Sequence, residues 1–322
     1  MTPKQRAIAA LTLQTPDEVP TFELEFQIEQ EMFGKCFIPE DLTRAHIGKL
    51  SPKEKQRRLM QLAEDIVSVY EALDYCIIPG PYGVGWFEDN IPSPELRLLH
   101  REIKRMVGDR RMIGYHGDGT FSIPDGNDMY AFAYAVADAP EALHAQAEQM
   151  MRDAIERNKR LAESGVEVLF LCCDYCYNAG PFISPTMFGE LIQPYLARII
   201  EEARREGLYT IKHTDGNIMP ILDQLVACKP HALHSLDPMA GVDMREIKAL
   251  VGDKVCLCGN VNCSLLQSGT EEDLRQSAQY AMTHGKPGGG YIYCTSNVPF
   301  KGIDPKRYQI VLDVWKQGRA YS

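Results

Sequence analysis

Short apolar runs and longer amphipathic stretches alternate along the whole chain. Eight runs read as strands: Val19–Phe26, Asp74–Pro79, Met112–His116, Val166–Cys173, Leu208–Thr214, Ala232–Leu236, Lys254–Cys258 and Gly290–Cys294. Most are apolar almost throughout, the pattern of strands buried on both faces of a parallel sheet. The stretches between them carry helix punctuation. Thr2-Pro3-Lys4-Gln5 and Ser51-Pro52-Lys53-Glu54 have the capped start with Pro at the first helical position. The second opens a helix running toward Glu71. Residues Pro140–Glu163 form a long helix, and Ser184-Pro185 starts another that Pro194 should kink. Thr270-Glu271-Glu272-Asp273 opens a helix ending near His284-Gly285, and Asp304-Pro305 opens the last. Its Tyr308, Val311, Leu312 and Trp315 make one apolar stripe, with Gly318 where a C-cap belongs. Strands alternating with helices over this length predict an α/β fold. The expected form is a single (β/α)8 TIM barrel over residues 1–322 with an N-terminal helical extension. A doubly wound dinucleotide-binding sheet would carry a glycine cluster after its first strand, whereas here that run ends Glu23-Leu24-Glu25-Phe26.

Composition narrows the partners. A net charge of -10 argues against broad nucleic-acid binding, which needs a basic face. No apolar run reaches membrane-spanning length, and residues 1–20 lack the layout of a signal peptide. With 10 cysteines and no secretory signal, the expectation is reduced thiols and a cytoplasmic location. Most cysteines, Cys36, Cys76, Cys228 and Cys256 among them, read as small buried hydrophobes. Cys173 and Cys176 have the spacing of a zinc-site pair, but no second pair has it. The sequence leaves a homodimer open.

Barrel enzymes gather their chemistry at the C-terminal ends of the strands. Those ends carry Glu23 and Glu25, then Tyr82 and Trp86, then His116 and Asp118, then Asp174 and Tyr175. His213 and Asp215 follow, then His234 and Asp237, then Asn260, Asn262 and Cys263, and finally Cys294 and Asn297. His213 and Asp215 are two apart in a strand-like run, so both point to one side. If Cys294 reaches the same point, the three make an N/O/S site suited to zinc with an open fourth position. Blander readings stand beside these. His116 and His234 read as hydrogen-bonded structural histidines, Asp118 and Asp174 as helix caps, and Asn260 and Asn262 as turn formers. Gly288-Gly289-Gly290 precedes a strand, so it is not a phosphate loop.

The chain resembles the uroporphyrinogen decarboxylase superfamily, and within it the corrinoid-dependent methyltransferases. The resemblance lies in Lys4–Leu11 with Pro16–Pro20, and in Ile183-Ser184-Pro185 with Pro194-Tyr195. It continues in His213-Thr214-Asp215-Gly216-Asn217 and in Gly259-Asn260-Val261-Asn262 followed by Gly269-Thr270. It implies a barrel fold, in agreement with the eight runs. The decarboxylases of this family carry an arginine-rich motif after the first strand, which grips substrate carboxylates. Here Phe22–Glu29 has no arginine and three glutamates, which would repel a polycarboxylate. The thiol-methylating branch binds zinc through a His-x-Cys pair and a late Cys. His213 and Cys294 match, but Asp215 stands where the middle Cys belongs.

The resemblance therefore implies Zn2+ held by His213 and Cys294, with Asp215 either as a third ligand or as a support for His213. In the second case Cys263, Cys258 or an early glutamate completes the site. A carboxylate ligand makes the metal harder and suits a methyl ether better than a thiol. The expected function is transfer of a methyl group from a small methylated donor, best a methoxylated aromatic, to the corrinoid (cobalamin) of a partner protein. Glu23, Asp118, Asp174 and Asp215 are the expected catalytic residues. Tyr82, Trp86, His116, Tyr175, Asn260 and Asn297 are the expected substrate-binding residues. The alternatives are methylcorrinoid-to-thiol transfer, decarboxylation of another small acid, and a binding protein without catalysis.

Overall fold

Seven parallel strands form the interior of the computed structural model, which describes residues 1–80 and 83–321. They are β1 (Ile77–Pro79), β2 (Met112–His116), β3 (Val168–Leu171), β4 (Tyr209–His213), β5 (Ala232–His234), β6 (Cys256–Val261) and β7 (Tyr291–Thr295). They neighbour one another in chain order, as successive right-handed crossovers require. Helices α1 (Pro3–Leu11), α2 (Glu29–Phe33) and α3 (Pro52–Ala72) precede β1, and α4 (Pro94–Val107) joins β1 to β2. Helices α5 (Asp128–Asp138) and α6 (Pro140–Glu163) lead to β3; α7 (Pro185–Leu191) and α8 (Gln193–Arg205) lead to β4. Then α9 (Leu222–Ala227), α10 (Met244–Val251) and α11 (Glu271–Gly285) each separate two strands, and α12 (Pro305–Gly318) follows β7. The fold class is thus the expected TIM-barrel-like α/β arrangement.

Local chemistry explains the helix starts. The boxes at Thr2, Ser51 and Thr270 each close reciprocally, the cap hydroxyl accepting from the third residue while that side chain accepts from the cap. Pro194 does more than bend its helix. The chain breaks at Ile192 into α7 and α8, because a proline ring clashes with the preceding turn. Gly318 is the last helical residue rather than a left-handed cap. Inside the barrel Phe22 stacks on Phe170, with centroids 5.7 Å apart and planes 11° from parallel. Gly114 on β2 admits that ring, since a Cβ there would lie 2.4 Å from Phe170 Cζ.

The run 19–26 corrects the sequence expectation. It occupies the gap between β7 and β1 but forms no continuous ladder. Thr21 alone bridges to Tyr293, and its carbonyl accepts from Cys76 N at 2.8 Å. Two causes are visible. Pro20 has no N–H to donate. At the next pairing position the side chain of Glu23, not a backbone carbonyl, accepts from Thr295 N, at 3.1 and 3.2 Å. Glu23 also accepts from Thr295 Oγ1 at 2.5 Å and from Tyr308 Oη at 3.1 Å, and Tyr308 in turn meets Tyr75 Oη at 2.5 Å. This carboxyl is only 1% exposed. Burial raises it to about 8 against the pull of its hydrogen bonds from Thr295 and Tyr308. Glu23 is therefore a closure element and not the catalytic acid expected.

Because Glu23 keeps its proton in the folded chain well above its ordinary value of 4.5, the unfolded chain releases a proton that the fold retains. Its contribution to stability therefore falls as pH rises from about 5 to about 8. Glu23→Gln removes that slope. Chemical denaturation across this range should show the stability difference moving in favour of the variant as pH rises. A difference constant with pH contradicts the assignment.

Candidate functional site

The end of β4 builds the site by strand alternation. Lys212 and Thr214 point one way and His213 and Asp215 the other. Lys212 and Thr214 grip the loop that follows β3. Lys212 Nζ donates to Cys173 O at 2.9 Å, and Thr214 Oγ1 accepts from Tyr175 N at 2.8 Å. Between these two attachments lies Asp174, whose Oδ1 accepts from Asp215 N at 3.0 Å. Gly216 then turns the chain away with φ 82°, and a Cβ there would sit 2.4 Å from Cys176 O.

Asp174, His213 and Asp215 consequently converge, with one ligand atom of each within 4.8 Å of the others. His213 Nε2 lies 3.6 Å from Asp174 Oδ1 and 3.6 Å from Asp215 Oδ1. Its other nitrogen is 2.8 Å from His234 Nδ1, across a register pair of β4 and β5. Burial lowers His213 to about 4, despite the opposing charge of Asp174, so it is neutral at neutral pH with a lone pair to offer. Burial raises Asp215 to about 6, and the charges of Asp174 and Asp237 add to this. Hydrogen bonds from Ser235 Oγ at 2.8 Å and Asn297 Nδ2 at 2.6 Å work the other way and fix both of its oxygens. One nitrogen and two carboxylates form a hard donor set that leaves coordination positions open, so these residues fit zinc or a similar divalent cation.

A cleft of about 420 Å³ opens beside Asp215. Its walls include Gln27, Asn178, Asp237, Met239, Cys263, Asn297, Val298 and Phe300. Among the described residues that line it there is no Lys or Arg. A second cavity of about 300 Å³, with Glu25, Glu29, Phe37 and Tyr70 in its wall, shares Gln27 with the first.

Other expected site residues lie elsewhere. Cys294 is fully buried, near Glu23, Cys76 and Cys256, and burial pushes its thiol well above the usual range. Its thiol is enclosed in the core and is not part of the ligand cluster. Cys263 reaches the cleft, but its Sγ donates to Val298 O at 3.1 Å, and burial raises it to about 12. Asp118 is a buried ion pair with Lys212 at 2.8 Å and also accepts from Gly119 N, Thr120 N, Thr120 Oγ1 and Cys173 N. Burial alone would raise its carboxyl, but Lys212 and these donors hold it at about 2, so it has no proton to give. Tyr175 is fully buried, with its ring 3.9 Å from Lys212 Nζ and its hydroxyl on Thr120. Trp86 lies in a peripheral hairpin, under Arg44 and bonded to Glu88. Asn260 sits within β6 and donates to Leu236 O and Val242 O, the turn-forming role. His116 faces the barrel interior against Phe170 and lies 3.9 Å from Glu25. Tyr82 lies outside the described residues.

The residues passed over in the sequence are Lys212 and Ser235, while His234 was read only as a hydrogen-bonded structural histidine. The signal for Lys212 was present: a charged residue inside a strand buried on both faces needs a buried partner.

A family model described as uroporphyrinogen decarboxylase (URO-D) matches residues 125–316. The chain belongs to the uroporphyrinogen decarboxylase family. The uroporphyrinogen decarboxylase of Pseudoalteromonas translucida (strain TAC 125) is 23% identical over 231 residues, 67% of this chain and 60% of that protein. That of Pseudoalteromonas atlantica is 23% identical over 250 residues, 70% of this chain and 66% of that protein. This family member thus spans about 60–66% of the length of these relatives. A methyltransferase from Methanosarcina mazei has the same fold, with a TM-score of 0.74 over 98% of this chain and 99% of that one. At 16% identity that likeness is one of fold. Among the described residues of this family member, no helix is long and apolar enough to cross a membrane.

Lys212→Met leaves Asp118 charged, buried and unpaired. Urea denaturation should show a loss of roughly 3–5 kcal/mol, of which Asp118→Asn in the same chain recovers part. A loss below about 1 kcal/mol, the range of exposed pairs, contradicts the buried-pair reading.

Proposed function

We propose that this protein is a corrinoid-dependent methyltransferase. It takes the methyl group of a small methylated donor, best a methoxylated aromatic, and passes it to the corrinoid of a partner protein. The observation that carries the reading is the cluster of Asp174, His213 and Asp215 at an open barrel mouth, with no thiol among its donors. The full-length likeness in fold to the methyltransferase from Methanosarcina mazei supports the reaction class.

The donor set selects among the alternatives. Two carboxylates and an imidazole favour an oxygen ligand over a thiolate, so an ether donor suits the site better than a thiol acceptor. A polycarboxylate porphyrinogen meets Asp215 and Asp237 at the cleft, with no cation among the described residues lining it.

Asp174, His213 and Asp215 would hold the zinc ion. When bound, it supplies a Lewis acid to the ether oxygen, and the docked corrinoid supplies a nucleophilic cobalt. Phe300, Met239 and Val298 pack against the donor ring, while Asn178, Gln27 and Asn297 hydrogen-bond its polar substituents. Burial keeps His213 neutral, so its Nε2 stays available at neutral pH. With Glu23 and Asp118 locked into the fold, Asp174 and Asp215 remain of the four expected catalytic residues, and Asp215 lines the cleft. Packing of the ring excludes water and holds the methyl carbon in line for attack.

Metal analysis of protein purified without chelator should give close to one equivalent of zinc, and His213→Ala should remove it. Less than about one tenth of an equivalent, unchanged in the variant, refutes the metal assignment. With the cognate corrinoid protein reduced, a methoxylated aromatic should convert the cob(I)alamin absorption spectrum to that of methylcobalamin. His213→Ala should slow this by at least about 100-fold. No spectral change with any methylated donor refutes methyl transfer.

A further inference from the structure

His213 and Asp215 are each held by a residue at the end of β5, His234 as its last residue and Ser235 just after it. His234 Nδ1 lies 2.8 Å from His213 Nδ1, and Ser235 Oγ donates to Asp215 Oδ1 at 2.8 Å. Adjacent residues of a regular strand point to opposite faces. Here Ser235 has φ 81° and Leu236 φ 50°, a left-handed turn that residues with side chains seldom adopt. The turn brings the Ser235 hydroxyl to the same side as the His234 ring. Both residues are buried, at 0% and 1% exposure.

The imidazole pair shares one proton between its two Nδ1 atoms. With that proton on His213, Nε2 keeps its lone pair toward Asp174 and Asp215. With it on His234, His213 carries its own proton on Nε2 and cannot ligate. Among the described residues His234 Nε2 is buried without a hydrogen-bond partner, so the choice between the two states is made at the His213 Nε2 end.

We infer that His234 and Ser235 are positioning residues for a divalent-cation site. His234 accepts the Nδ1 proton of His213 and thereby makes Nε2 the ligating atom, while Ser235 sets the facing oxygen of Asp215. The inference rests on the reading of Asp174, His213 and Asp215 as a metal centre. Acceptors of this kind orient ligating histidines, and their loss weakens metal binding about 10–100-fold.

Titration of metal-free protein with Co2+, followed by visible absorption, tests it. Wild type should bind about one equivalent. His234→Leu removes the acceptor and should bind about 10–100-fold more weakly, with a changed cobalt spectrum. His234→Asn presents an amide oxygen near the place of Nδ1 and should stay within about threefold of wild type. Ser235→Ala removes only the hydroxyl and does not depend on the folding of His234→Leu. It should weaken binding about tenfold. Binding by His234→Leu as tight as wild type, or equal weakening in His234→Leu and His234→Asn, overturns the role of His234. Unchanged binding by Ser235→Ala overturns that of Ser235. Wild type that takes up no Co2+ overturns the metal centre itself, and this inference with it.

Discussion

The ammonium of Lys212, buried in full, requires a counter-charge, and the requirement organises the mouth of the barrel. Asp118 supplies the charge from the loop after β2, and Cys173 O supplies a second acceptor from the loop after β3. A removed partner would leave a charge stranded in a dry environment, so the three strand ends are held in one arrangement. Tyr175 covers the ion pair with its ring. Because Lys212 and His213 are consecutive, the contact that pins the outer face of β4 also sets the direction of His213 on the inner face. Asp174 comes within reach of His213 because its neighbours on both sides are tied to β4.

Closure of the barrel follows a different rule. Parallel strands normally exchange backbone hydrogen bonds, but the segment around Thr21 has too few to give. Glu23 stands in for a carbonyl, and its neutral, buried carboxyl links Thr295 to Tyr308 and Tyr75. A carboxyl can do this in an apolar interior because burial raises its pKa and so removes most of the cost of burying a charge. The same environment takes it out of reach of a substrate.

The chemistry proposed for the cleft depends on which donors the fold leaves free. Thiols are plentiful in the chain, yet Cys294 is sealed in the core and Cys263 is bonded to a carbonyl. Carboxylates remain at the mouth, beside a neutral imidazole. Such a cluster is hard and anionic, which favours a cation with an oxygen ligand over a thiolate or a polyanionic substrate. Membership of the uroporphyrinogen decarboxylase family supplies the scaffold, and the reaction is argued from these side chains.

Much of the fold was legible in order along the chain. Strand β2 matches its predicted run end to end, the capped starts at Thr2 and Ser51 close as read, and the helix starts at Pro185 and Pro305 fall where Ser-Pro and Asp-Pro placed them. These features are local: hydrophobic period, cap chemistry and proline geometry act within a few residues. The pairing of His213 with Asp215 was legible for the same reason, since strand alternation fixes their common side. The closing segment misled, because an alternating run looks the same whether its hydrogen bonds come from backbone or from a carboxyl. The third donor misled as well. Cys294 stands at the expected strand end, but its thiol is enclosed in the core beside Glu23, Cys76 and Cys256. Asp174 reaches the site through a loop tied across β4, and His234 with Ser235 through a left-handed turn. Sequence alone thus determined the elements and the faces of individual strands. Only the tertiary structure decided which strand ends meet, because register and loop path are set by contacts between residues far apart in the chain.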